Sequence, residues 1–97
     1  MDQNQDSSTR VEGEYSVVPN PCTTVPCLPG MVYAVSTADA CYVLSRAGHW
    51  LAESCRWGDF MPELGDQIVV SGHVTRKSDL RGDMFLEIEV ESLTRKD

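Results

Sequence analysis

Hydrophobic and polar residues alternate most regularly between Gly65 and Leu93, in GDQIVVSGHVTRKSDLRGDMFLEIEVESL. Successive side chains of a strand point to opposite faces, so a buried face appears as every second residue being apolar. Ile68, Val70, Gly72 and Val74 point one way, and Gln67, Val69, Ser71, His73 and Thr75 the other. On the return, Met84, Leu86, Ile88 and Val90 share one face, while Phe85, Glu87, Glu89 and Glu91 share its opposite. Between the two runs, Asp79-Leu80-Arg81-Gly82-Asp83 suits a type I turn at Leu80 and Arg81 followed by Gly82 in the left-handed conformation. This predicts one long antiparallel hairpin in which Asp79 faces Asp83, Val74 faces Ile88, Gly72 faces Val90 and His73 faces Glu89. A slip of one residue would set Val74 against a glutamate, which specifies the register.

The remaining pattern is less regular. Arg10 to Pro19 alternates loosely and reads as a first strand, with Val11, Tyr15 and Val17 inward and Gly13 as a bend or bulge. Pro19 to Gly30 carries four of the five prolines of the chain, a density that no helix or strand survives, so a stiff ordered loop is expected. Met31 to Thr37 and Ala40 to Arg46 are rich in β-branched and aromatic residues and read as a second hairpin turning at Thr37-Ala38-Asp39. From Ala47 to Leu64, Trp50, Leu51 and Cys55 fit a short helical face, but Gly48, Gly58 and Pro62 limit any helix to about two turns. A short helical or irregular segment is expected there.

Three strands, such a connection and two more strands make the chain all-β. The order resembles the oligonucleotide/oligosaccharide-binding (OB) fold, a five-stranded partly open barrel. The stretch Leu64-Gly65-Asp66-Gln67-Ile68-Val69-Val70-Ser71-Gly72-His73-Val74 looks like the GD-x-V-x-V-x-G-x-V fourth strand of many such domains, and Leu86 to Val90 looks like the closing fifth. The resemblance spans Val11 to Leu93 in order of elements and about thirty residues in motif. It implies a binding face on the second and third strands, flanked by the loop after the first strand and the loop between the fourth and fifth. On those strands Tyr33, Tyr42 and Arg46 are the candidate ligand-binding residues. Tyrosines in strands are more often core or half-buried packing residues than a stacking platform.

Length and composition bound the rest. Ninety-seven residues, 41% of them apolar, make one domain with a modest core, expected over 11–93 between a polar, disordered leader at 1–10 and a polar tail at 94–97. No run of about 18 apolar residues predicts a membrane span, and Met1 to Arg10 lacks the character of a signal peptide. The formal charge of −7, from 15 acids against 8 bases, weighs against nucleic acid, whose binding depends on phosphate neutralisation. Only Arg76-Lys77 with Arg81 could cluster, and Asp79 and Asp83 stand among them.

Cysteine and histidine supply the remaining candidate chemistry. Cys22 and Cys27 could close a small disulfide ring in the proline-rich loop, which would place the protein in a periplasmic or extracellular compartment; two free thiols in a cytosolic loop is the other reading. Structural zinc sites favour two tight cysteine pairs, and Cys41 and Cys55 stand apart, so no metal site is expected. His73 opposite Glu89 is an ordinary cross-strand pair, and neither it nor His49 has the neighbours that nucleophilic catalysis requires. Arg81-Gly82-Asp83 spells an adhesion tripeptide at a hairpin tip, but the turn alone accounts for its glycine and acids. The glutamates at 87, 89 and 91 read as a solvated outer face.

These residues predict a non-enzymatic binding or interaction module without cofactor, exported if the disulfide forms, taking a small-molecule, glycan or protein partner. The alternative is a single-stranded nucleic-acid binder, which requires a local basic and aromatic patch.

Overall fold

The computed structural model describes residues 8–27 and 29–96, so most of the expected leader, and Asp97 of the tail, lie outside the described residues. Six strands carry the fold: β1 (Thr9–Pro19), β2 (Met31–Ser36), β3 (Cys41–Arg46), β4 (His49–Trp50), β5 (Gln67–Ser78) and β6 (Met84–Arg95). No helix forms among the described residues. β1 pairs antiparallel with β2 and β5, β2 with β3, and β5 with β6, while β3 and β6 run parallel. The circuit β1-β2-β3-β6-β5 therefore returns to β1. The result is an all-β, partly open five-stranded barrel, as the pattern predicts, with β4 appended to β3.

β1 makes closure possible by serving two partners in turn. Thr9 to Glu14 pair with β5, and Glu14 to Pro19 pair with β2. The strand changes partner at Gly13-Glu14, where a side chain on Gly13 would collide with the carbonyl of Ser36. Glycine is required by this close backbone approach. The sheet also runs slightly past the expected 11–93, since Thr9 and Arg95 are both in strands.

The long hairpin has the predicted register near its tip: Gly72 faces Val90, His73 faces Glu89 and Val74 faces Ile88. Its turn is the expected three-residue loop. The Gly82 N–H donates to the Asp79 carbonyl at 3.0 Å, the Asp79 N–H to the Asp83 carbonyl at 2.9 Å, and Gly82 has φ 89°. The Asp79 carboxylate adds two bonds of 2.9 Å from the N–H groups of Arg81 and Asp83. Farther from the tip the alternation breaks. Ser71 faces Ser92, so Glu91 is an extra residue in a bulge. The bulge shifts parity by one and turns Leu93 inward, where it is buried, leaving Ser92 exposed.

The connection from 47 to 66 takes the irregular form. Ala47 and Gly48, with φ of 54° and 82°, form a two-residue turn from β3 into β4, the left-handed geometry favoured in tight hairpins. Backbone groups that a helix would pair internally instead bond to the sheet: the Leu51 N–H donates to the Leu44 carbonyl at 3.1 Å, and the Tyr33 N–H to the Leu51 carbonyl at 2.9 Å. Trp57 and Phe60 form a small bridge across Gly58-Asp59, and both pack against the core.

Val11, Tyr15, Val35, Leu44, Ile68, Val70, Ile88, Val90 and Leu93 fill the barrel interior. The opposite face of β2 and β3 is dry as well, since Val32, Ala34, Val43 and Ser45 are all buried. Burial on both faces of a strand is what a covering segment outside the barrel produces. The Pro19 to Gly30 loop fits that place: the Leu80 N–H at the hairpin tip donates to the Cys22 carbonyl at 2.8 Å.

Candidate functional site

The outer face of β3, β6 and β5 holds a connected polar cluster. Register places Val43 and Thr75 beside Glu87, Lys77 beside Phe85, and Ser45 beside Glu89. Glu87 is the centre. Its Oε1 accepts from the Trp50 indole N–H at 2.8 Å and meets Lys77 Nζ at 2.8 Å, and its Oε2 accepts from Ser45 Oγ at 2.9 Å. Burial pushes the carboxyl of Glu87 toward neutrality, but the bonds from Lys77, Trp50 and Ser45 together outweigh it and hold the group below the ordinary carboxylate value. Glu87 is thus an ionised anchor with its acceptors engaged, and only 12% of its side chain is exposed. This corrects the reading of residues 87, 89 and 91 as one solvated stripe: Glu89 and Glu91 are exposed, Glu87 is not.

The anchor fixes Trp50, whose ring meets the ring of Phe85 edge-on, centroids 5.8 Å apart and planes at 80°. Two clefts open on either side of this aromatic pair. One, of about 290 Å³, lies between the proline-rich loop and the hairpin tip, with Pro21, Cys22, Cys41, Val43, Arg81 and Phe85 in its wall. The other, of about 660 Å³, is bounded by Thr24, His49, Trp50, Thr75 and Lys77, with Glu87 and Glu89. The loop contributes to both, through Cys22 and Thr24. Cys22 and Cys27 lie at disulfide distance, with Cα atoms 4.9 Å apart. Such a ring stiffens a wall that has no sheet of its own.

Charge on this face is nearly balanced. Lys77 is paired with Glu87, and Arg81 stands with Asp79 in the first cleft. Rigid aromatic rings, hydroxyls and compensated charges can hold an uncharged or weakly polar ligand by apolar contact and a few directed hydrogen bonds. His73 and Glu89 are register partners and both exposed, and Arg81, Gly82 and Asp83 are exposed at the tip.

The residues singled out from sequence fall elsewhere. Tyr33 stacks on Tyr15 with centroids 4.9 Å apart and 12° between planes, on the inner side of the barrel. Tyr42 is half-buried and packs against the same core. Arg46 is exposed at the far end of β3, its guanidinium 4.5 Å from the centre of the Trp57 ring. The three share one strand parity but not one open surface: Tyr33 and Tyr42 are turned against the core, and Arg46 lies past it at the exposed end of β3. Cys41 and Cys55 are free, and Cys41 shares the first cleft with Cys22.

Sequence reasoning missed Trp50, Phe85 and Glu87. One signal was present, since Phe85 is the single large apolar residue on the outward face of Phe85-Leu86-Glu87-Ile88-Glu89. Comparison with protein-family models and with curated proteins finds no match to this chain.

Proposed function

We propose that the chain is an OB-type domain acting as a non-enzymatic binding module, with its ligand on the outer face of β3 and β6, between the proline-rich loop and the long hairpin. The strand circuit, with β3 parallel to β6, supports the assignment to that fold. The observation that carries the binding reading is the bond from Leu80 N–H to the Cys22 carbonyl, which ties the two loops into one wall around the Phe85 and Trp50 rings. The Cys22–Cys27 pair supports an oxidising, exported setting. Near-neutral charge on this face favours a glycan, a small molecule or an uncharged peptide over a nucleic-acid strand.

The test is a glycan and peptide array probed with the wild-type protein and with Phe85→Ala and Trp50→Ala, followed by titration of each hit. Saturable binding, weakened about tenfold or more by either substitution and little affected by salt, is expected. Binding of oligothymidylate that saturates and falls steeply with salt would establish the nucleic-acid alternative instead. Turnover of a bound compound would overturn the non-enzymatic reading.

A further inference from the structure

A third cleft, of about 350 Å³, opens at the other end of β3, where Arg46 and Trp57 face the bulged stretch of β6. It shares no residue with the two clefts of the proposed binding face. We propose that it is a separate site for a small organic oxyanion, a carboxylate or a phosphomonoester, held by the Arg46 guanidinium.

The ion pairs among the described residues are Arg10–Glu12, Lys96–Glu12 and Lys77–Glu87, and none involves Arg46. Glu91 brings a carboxylate to the same cleft; its Oε1 accepts the hydroxyl of Ser8, which engages that oxygen and leaves its charge in place, and it forms no ion pair with Arg46. The guanidinium is also held in place, over the Trp57 ring at 4.5 Å and with Nη1 3.9 Å from Cys55 Sγ. A charged planar fork whose rotamer is already restrained loses less entropy on binding, and its parallel N–H groups match carboxylate and phosphate oxygens.

The opposite wall adds polar groups. Glu91 is the extra residue of the bulge, and such a residue stands outside the regular ladder. Ser92 and Thr94, which follow it on β6, line the cleft too and are exposed. The floor is apolar, from Val90 and Leu93, both buried. The indole N–H of Trp57 is buried and has no partner among the described residues. The Arg46 cation over an apolar floor favours an anion attached to a carbon skeleton, and the cleft has room for a ligand of the size of benzoate.

The test follows the Trp57 indole resonance and the Ser92 and Thr94 amides by NMR during titration with benzoate, phenyl phosphate and, as a neutral control, benzyl alcohol at constant ionic strength. Trp50→Phe assigns the two indole signals. Saturable shifts with at least one anion are expected, weakened about tenfold or more in Arg46→Met and less in Arg46→Lys. Response to benzoate alone makes the site a carboxylate site, and response to phenyl phosphate alone a phosphate site; either supports it. The double variant Ser92→Ala/Thr94→Ala, which leaves the Arg46–Trp57 stack intact, is expected to weaken binding about threefold or more and keeps the test available should Arg46→Met fold poorly. Absence of saturation with both anions, equal response to benzyl alcohol, or unchanged affinity in the variants would overturn the proposal.

Discussion

Glu87 illustrates how far a residue's role depends on what stands opposite it. In sequence it is one of several glutamates alternating with apolar residues. In the fold, Ser45, Trp50 and Lys77 reach it from three different strands, so its charge is compensated and its hydrogen bonds are directed. Because its pKa is depressed in the folded state below the ordinary 4.5, its contribution is present above that value and is lost as pH falls through the folded one. Glu87→Gln is therefore expected to cost about 1–2 kcal/mol at neutral pH and little once the wild-type carboxyl is protonated. Urea unfolding of both proteins at neutral and strongly acidic pH checks this, and an equal gap at both would show that the charge is not what matters. Glu12 is also shifted down, by Lys96 first and then Arg10, but in full solvent such pairs add little. Tyr15 is shifted up by burial, which outweighs its bond with Ser54, so the phenol stays neutral within the core.

At the scale of elements, the tip and the base of the long hairpin obey different constraints. The tip is local: Asp79, Gly82 and Asp83 close a loop whose hydrogen bonds fall within five residues, so it was readable from the chain. The base is not, because the bulge at Ser71/Gly72 answers to the curvature of a barrel closed by distant strands. Gly72 is buried there, and an added Cβ would run into the Glu89 carbonyl and Ile88. Gly82 has open space around it and only a left-handed φ to lose. Gly72→Ala is therefore expected to destabilise by about 2–3 kcal/mol and Gly82→Ala by about 1 kcal/mol. Thermal or urea unfolding would rank the two variants, and the reverse order would refute the steric account. The same distinction explains the 47–64 segment: its apolar residues were visible, but whether they line a helix or cap a barrel depends on partners in β3 and β2, the Leu44 carbonyl and the Tyr33 N–H.

For the whole molecule, the proline-rich loop joins a barrel end to a hairpin tip and so couples covalent to tertiary structure. With Cys22 and Cys27 at disulfide distance and Cys41 and Cys55 free, alkylation of unfolded but unreduced protein should add two labels, and alkylation after reduction four. Four labels without reduction would remove the disulfide and the stiff wall with it. Reduction is expected to lower stability by about 2 kcal/mol and to broaden NMR signals around the Leu80 amide.

What the chain determined by itself was whatever rests on short-range physics: the alternation that makes strands, the turn chemistry that sets the hairpin register near its tip, and the proline density that ends β1 at Pro19. Tertiary structure alone decided which face of β2 and β3 looks inward, and so moved Tyr33 and Tyr42 toward the core and left Arg46 at a different end of the barrel. It also decided that Trp50, Phe85 and Glu87 would meet. Alternation reports that two faces differ, but when both are covered, one by the barrel and one by a loop, only the closed circuit of strands assigns them.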